Sequence, residues 1–335
     1  MMALRYLTAG ESHGRGLVGI LEGLPSGIPI TQELIEDQLR RRRQGPGRSA
    51  RQALEDDRVL VLSGLAKGRT LGSPVGVLIP NRDARWPEGM PEATAPRPGH
   101  ADLAGSIKYR VGLRDVMERA SARETAMRVA LATFCREMLS GLGVSVFSRV
   151  LRIGRASRNW AAEVERAGKQ GDTLGGVFEV FASGVPVGLG SHVHWDRRLD
   201  GRIAAAFMSL NAIKGVEIGL GFAAAALKGS RAHDEYFRGL RRRTNRSGGI
   251  DGGMSTGQPI VVRAAMKPLP TLAKPLRSVD LRTGRAASAP AERGDVCAVP
   301  AAAVIGESLL CLVLADAMLE KFGGDSMKDL RSRVR

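Results

Sequence analysis

The chain has 335 residues, 43% of them hydrophobic and 25% charged, which is material for a sizeable core and ordinary for a soluble globular protein. Aromatic residues are only 4%, and no zinc-finger, RRM or KH pattern occurs, so the stacking platforms of nucleic-acid binders are not expected. The net charge of +16 is spread along the chain and invites an anionic partner, whether nucleic acid, a membrane surface or a phosphorylated small molecule, the first weakened by the scarcity of aromatics.

Cys135, Cys297 and Cys311 are far apart and form no C-x-x-C pair, so neither a disulfide framework nor a metal site is expected, and a reducing cytoplasm fits. The first residues carry no apolar run of the signal-peptide kind. Residues 17–30, "LVGILEGLPSGIPI", read as a strand, a Pro-Ser-Gly turn and a short extended piece. Thr31 suits the N-cap of a helix that carries Leu34, Ile35 and Leu39 on one face, and Gly45-Pro46-Gly47 stops it. Strands are expected at 59–62 and 75–79, and a loop at 80–99, rich in Pro, Gly and charge. A helix begins near Ser121, where "SARE" has the capping-box pattern with Glu124, and runs to Gly141. Strands follow at 144–150, 177–182 and 260–266. The most apolar stretch, Ala298 to Leu319, contains Glu307 and Asp316, so it reads as a buried helix and not a membrane span. That helix starts after Pro300 and ends at Gly323-Gly324. Strands and helices mix without regular βαβ alternation, so the fold class is α+β.

Several segments could carry chemistry. In "TAGESHGRG" His13 sits among glycines, where a polar turn residue and a functional imidazole are both reasonable readings. His100, in "RPGHAD", is a second loop histidine braced by Gly and Pro. Arg40 to Arg43 end a helix, where cations are favourable, but four in a row repel unless anions relieve them. Arg48 lies beyond the turn, and arginine forks suit carboxylates and phosphates. Arg119, Ala120 and Ser121 lie at an expected helix N-terminus, a ready anion site. "GGIDGGMSTG" (248–257) is neither a Walker loop nor a Rossmann fingerprint; it is a surface turn or a close approach to a ligand. His192 and His194 share one face of an expected strand and are read as structural, and His233 as a surface helix residue. Asp295 precedes the last helix, with Arg293 as its nearest ionic partner in sequence.

Taken together, "GESHGRGLVGILEGLPSGIPI", "RRRQGPGRSARQALEDDRVLVLSG", "RPGHADLAGSIKY", "RDVMERASARETAMRVA", "NAIKGVEIG", "NRSGGIDGGMSTGQPIVVRAAMKPLPT" and "ERGDVCAVPAAAV" resemble the chorismate synthases, in the family's order and from about Leu4 to Gly324. The resemblance implies one domain over residues 1–335, a β-α-β sandwich with active-site loops at 40–52, 80–102 and 238–258 and a buried helix at about 300–322. It implies elimination of phosphate from 5-enolpyruvylshikimate 3-phosphate to give chorismate, needing reduced FMN without net redox change. It places His13 by the substrate phosphate, His100 against the flavin ring and Asp295 near the flavin N5 as a proton relay. Arg42 and Arg48 match the substrate pocket. Arg119, Ala120, Ser121, Asn211, Ala212, Gly252, Lys267, Pro268, Leu269, Pro270, Thr271 and Arg293 match positions that hold FMN. A homotetramer is implied, with neither nucleic acid nor membrane as partner. The alternative is the same scaffold with an added NADPH-dependent flavin reductase activity. The segment from Pro80 to Pro96 is shorter than the family pattern.

Overall fold

The computed structural model describes residues 4–49, 55–291 and 294–334. Strands β1 (Arg5–Ala9), β2 (Gly16–Glu22), β3 (Leu60–Ser63) and β4 (Val75–Pro80) form an antiparallel sheet in the order β1-β2-β4-β3. A second antiparallel sheet joins β5 (Ser145–Ile153), β6 (Gly176–Ser183), β7 (Ile213–Ile218) and β8 (Ile260–Met266) in the order β5-β6-β8-β7. Alternation decides which face is buried: Leu17 and Leu21 of β2 and Val75, Val77 and Ile79 of β4 point to the core, while Val18 and Ile20 face outward.

Long helices fill the space between the sheets, and shorter ones lie beside them. In chain order they are α1 (Gln32–Arg43), α2 (Asp102–Tyr109), α3 (Leu113–Arg119), α4 (Thr125–Ser140), α5 (Trp160–Lys169), α6 (Leu199–Met208), α7 (Val299–Phe322) and α8 (Met327–Arg333). α4 packs on the first sheet, α7 on the second, and the two helices pack on each other with α1 against both. This is the expected α+β sandwich. Two glycines set the layer spacing. A Cβ on Gly19 would come within 2.5 Å of Met127 Sδ, and one on Gly306 within 2.8 Å of Phe178. α7 is apolar all round because it is covered all round: 94% of its most apolar window is buried.

The two acids in α7 are answered from neighbouring layers. Glu307 accepts two hydrogen bonds from Arg41, at 2.8 Å each, and one each from Arg136 and Ser148, at 2.6 Å. Asp316 accepts from the Leu4 backbone at 2.9 Å and pairs with Arg202. A buried carboxylate is tolerated only when paired and bonded in this way.

Local expectations mostly hold. Thr31 caps α1 by accepting from the Leu34 backbone, and Gly323 ends α7. Three differ. After the expected loop at 80–99, residues 102–119 hold two helices that no sequence signal announces. The Ser121–Glu124 box does not close: Ser121 caps a single 3-10 turn (Ala122–Glu124), and Glu124 turns to Thr8 and Arg128. His192 and His194 lie on bends before a 3-10 turn, not on a strand, and His194 bonds Asp196 in the open.

Candidate active site

A cavity of about 510 Å³ opens at one end of the sandwich, within the range of small-molecule sites. Its walls come from the β1–β2 turn, the loop after α1, the 97–101 turn, the α3–α4 link, residues 210–212, 266–271 and 294–295, and the first turns of α7. His13, His100, Asp295, Arg42 and Arg48 all line it. So do Ala120, Ser121, Asn211, Ala212, Lys267, Leu269, Pro270 and Thr271.

Both histidines are anchored by carboxylates through Nδ1. His13 Nδ1 lies 3.0 and 2.9 Å from the two Glu118 oxygens, and its backbone N–H donates to Glu118 at 2.8 Å. Burial alone would raise the Glu118 carboxyl, but the His13 ring and backbone outweigh it and hold it below its ordinary value. The turn itself is fixed by Asn81, whose amide donates to Glu11 O at 3.1 Å and Gly14 O at 2.8 Å. His100 Nδ1 bonds Asp102, whose other contacts come from Arg97: backbone at 3.0 Å, Nε at 2.8 Å and Nη2 at 3.0 Å. Burial pushes the Asp102 carboxyl up, yet His100 and Arg97 together hold it well below the usual carboxylate range. An ionised carboxylate only accepts, so in both pairs Nδ1 carries the hydrogen.

The arginine run separates by partner. Arg40 pairs with Asp37 at the surface, Arg41 with Glu307 and Arg43 with Asp57. Acids therefore relieve the repulsion of three of the four. Arg42 is different: it is buried and donates to neutral acceptors, Thr125 Oγ1 at 3.1 and 2.9 Å and Ala122 O at 3.0 Å. Its Nη1 is buried with no hydrogen-bond partner. Burial lowers its pKa to about 10, with Asp57 opposing and Arg48 and Arg123 adding to the drop. Arg48 pairs with Asp295 at 2.6 Å and leaves its Nε buried without a partner. Asp295 also accepts from the Ser49 backbone at 2.7 Å, so its ionic partner here is Arg48 and not Arg293. Arg293 lies outside the described residues.

Not every matched position reaches the cavity. Arg119 ends α3, exposed, and ties it to the β1–β2 turn by donating to Gly10 O at 3.2 Å and Thr8 O at 3.1 Å. The anion site expected at one helix N-terminus is thus split between the end of α3 and the 3-10 turn. Pro268 is exposed between two wall residues. Gly252 turns the hairpin of Ile250–Asp251 and Met254–Ser255. Its neighbour Gly253 accepts from Leu199 N at the start of α6, whereas Asn211 follows that helix's far end. The helix is 10 residues long, so about 15 Å of it separates the two within one chain.

The fold also brings in residues that the sequence did not single out. Glu118, Asp102, Arg97 and Ser12 join the site, and Arg123 bridges Asn81, Asp57 and Glu55. An acid two residues after His100 was a visible signal for Asp102. Nothing local marks Glu118, which is 105 residues from His13.

Apolar side chains complete the cavity: Leu210, Met266, Leu269, Ala298, Ala301, Ala302 and Ile305. Asn211 donates to Ala120 O at 3.1 Å, while its Oδ1 is buried without a donor. Ala212 holds a left-handed φ of 65°, rare for a side-chain-bearing residue, and its carbonyl accepts from Lys267 N at 2.9 Å. Strain held in this way is typical of a ligand clamp.

Comparison with known proteins gives the family. The chorismate synthase family profile matches residues 4–319. The chain is 52% identical to the chorismate synthase of Desulforudis audaxviator, over 99% of this chain and 96% of that one. It is 48% identical to that of Aquifex aeolicus, over 98% and 96%. A solved chorismate synthase crystal structure superposes with a TM-score of 0.81 at 42% identity, covering 98% of this chain and 96% of the other. The chain belongs to the chorismate synthase family.

Proposed function

We propose that this protein converts 5-enolpyruvylshikimate 3-phosphate to chorismate by anti-1,4-elimination of phosphate and a ring proton, with reduced FMN as a cofactor that undergoes no net redox change. One observation carries the reading beyond family membership. Two buried guanidinium edges, Arg42 Nη1 and Arg48 Nε, lie without partners among the walls of a cavity that also holds two carboxylate-anchored histidines. Such donors call for an anion, and a substrate with two carboxylates and a phosphate supplies several.

The walls also suit a flavin. The unfilled acceptor Asn211 Oδ1 matches a ring N–H, and the apolar face of Met266, Leu269, Ala301 and Ile305 matches a flat ring. Ser121, Asn211, Ala212 and Lys267 to Thr271, with Arg293, would hold it. Reduced FMN would supply an electron-rich ring to stabilise electron-poor carbon at the reacting face. Arg42 and Arg48 orient the substrate's anionic groups. His13, held at Nδ1, presents Nε2 and protonates the departing phosphate. Asp295, fixed by Arg48 and the Ser49 backbone, stands ready to take up the ring proton, and His100 is held rigid by Asp102.

A homotetramer in the cytoplasm completes the reading. Two features support assembly: Gly252 is remote from the cavity of its own chain, and the outer face of the first sheet leaves Leu7, Val18, Ile20 and Leu62 exposed. The three free cysteines suit a reducing compartment.

The test is anaerobic phosphate release from 5-enolpyruvylshikimate 3-phosphate with chemically reduced FMN and no nicotinamide. Turnover is expected, and its absence from folded, FMN-bound protein would overturn the assignment. Repeating the assay with oxidised FMN and NADPH reads the alternative of an intrinsic flavin reductase.

A further inference from the structure

The two histidine–carboxylate pairs are alike in geometry and unlike in charge. Asp102 is shared: Arg97 makes three hydrogen bonds to the carboxylate that also receives His100. Glu118 is given to His13 alone among the described residues, with both oxygens on Nδ1 and one also on the backbone N–H. The Glu118 side chain is 2% exposed, so solvent does little to weaken the contact. A second carboxylate, Asp83, stands 3.6 Å from Nε2 and is itself paired with Arg85. Arg114, one turn earlier on α3, and Arg85 are further charges close to Glu118. The turn also carries Glu11, Arg15 and the Ser12 hydroxyl, which accepts from Ser121, and it is bonded by Asn81 and Arg119.

We propose that Glu118 is the positioning residue of the phosphate-elimination step: it fixes the His13 ring with Nδ1–H bonded and Nε2 toward the substrate, and its charge keeps the second proton on His13 until the phosphate leaves. The inference rests on the reading of His13 as the general acid. In the step, the carbon–oxygen bond to phosphate breaks with its electron pair on the phosphate oxygen. That oxygen takes the Nε2 proton, and His13 is left as the neutral Nδ1–H tautomer still bonded to Glu118. A carboxylate in contact favours the charged imidazole, whereas an amide of the same shape does not.

Four variants test it: Glu118→Gln, Glu118→Asp, His13→Gln and the Gln/Gln double. In Glu118→Gln the alkaline limb of the kcat–pH profile should move down by about one pH unit or more. The KM for substrate and the Kd for FMN should stay within about threefold, as expected for an interaction felt only in the chemical step. Glu118→Asp should restore part of the limb, and the double variant should be no slower than His13→Gln. A Glu118→Gln profile that overlays the parent, or a full additional loss in the double variant, overturns the inference. The two readings separate cleanly: His13→Gln with unchanged phosphate release refutes the acid role, whereas a slow His13→Gln beside an unaffected Glu118→Gln refutes only the part played by Glu118. Should Glu118→Gln fail to fold, imidazole ¹⁵N shifts of the unmodified protein decide. The neutral form above the alkaline limb is expected to be the Nδ1–H tautomer, and a bare Nδ1 overturns the proposal.

Discussion

Replacing Arg42 by Met separates what this arginine does for the fold from what it does for the substrate. Arg42 is 3% exposed, and its guanidinium donates to hydroxyl and carbonyl oxygens and, among the described residues, to no carboxylate. The drop from arginine's ordinary value to about 10, caused first by burial, disfavours the charged side chain by on the order of 3 kcal/mol. The folded chain holds this proton less tightly than the unfolded chain does, so the penalty is relieved only as pH rises above about 10 toward arginine's ordinary value. At neutral pH it is present in full. Met fills a similar volume without the charge, but it takes two hydrogen bonds from Thr125 Oγ1 and one from Ala122 O, at a cost of about 1 kcal/mol each. The two sides nearly offset, so Arg42→Met should unfold in urea at the parent's stability or up to about 2 kcal/mol above it. Turnover should respond in the opposite sense. A lost charge-assisted hydrogen bond of about 1.5–3 kcal/mol raises the substrate KM roughly 10- to 150-fold. Paired urea titrations and steady-state phosphate release measure both. Destabilisation beyond about 2 kcal/mol, or an unchanged KM, would refute the view that this charge is held in strain for an anion.

Three further perturbations have defined outcomes. Glu307→Gln removes a carboxylate that satisfies Arg41, Arg136 and Ser148, and breaking a buried pair costs about 3–5 kcal/mol, so calorimetry should show Tm lower by about 4–7 °C. A loss under about 1 kcal/mol would mean that the layers do not depend on it. Gly306→Ala pushes a methyl to within 2.8 Å of Phe178 and should cost about 1–3 kcal/mol in denaturant titrations, with m unchanged. The Asp102 carboxyl is depressed in the fold, so its contribution is present above the ordinary aspartate range and is lost as pH falls through the depressed value. The stability gap between the parent and Asp102→Asn should therefore be flat above about pH 5 and narrow below about pH 4; a gap that widens in acid would contradict the pairing.

What could be read from the sequence divides along physical lines. Elements whose signal is local were legible: the Thr31 cap and Gly-Pro-Gly stop of α1, the alternation of β2 and β4, and the apolar length of α7. The helices at 102–119 were not, because α2 has no buried apolar face and α3 buries only Leu113 and Met117 of its apolar side chains. Leu103, Ile107 and Tyr109 are exposed, Gly105 and Gly112 interrupt the run, and neither N-cap, Ala101 or Gly112, offers a side-chain oxygen. In the site, residue types braced by Gly and Pro stood out, as His13 and His100 did. Their anchors did not, since an acid such as Glu118 gains meaning only when folding brings it across 105 residues. Of the neighbours in "RRRR", nothing in the sequence distinguished Arg42, whose acceptors are neutral, from Arg41 and Arg43, whose partners are acids.

The position of α7 between the layers has a consequence for how the chain is made. Residues 299–322 leave a ribosome only after every strand of both sheets, yet they supply the surface on which Phe178 and Val180 of the second sheet come to rest. Until then that sheet has strands and no floor, and the cavity lacks the wall formed by Ala298, Ala301 and Ile305. A nascent chain several hundred residues long thus carries both histidines and most of the arginines but no closed site. Its bare sheet face is the kind of surface that chaperones bind and that crowded refolding loses to aggregation.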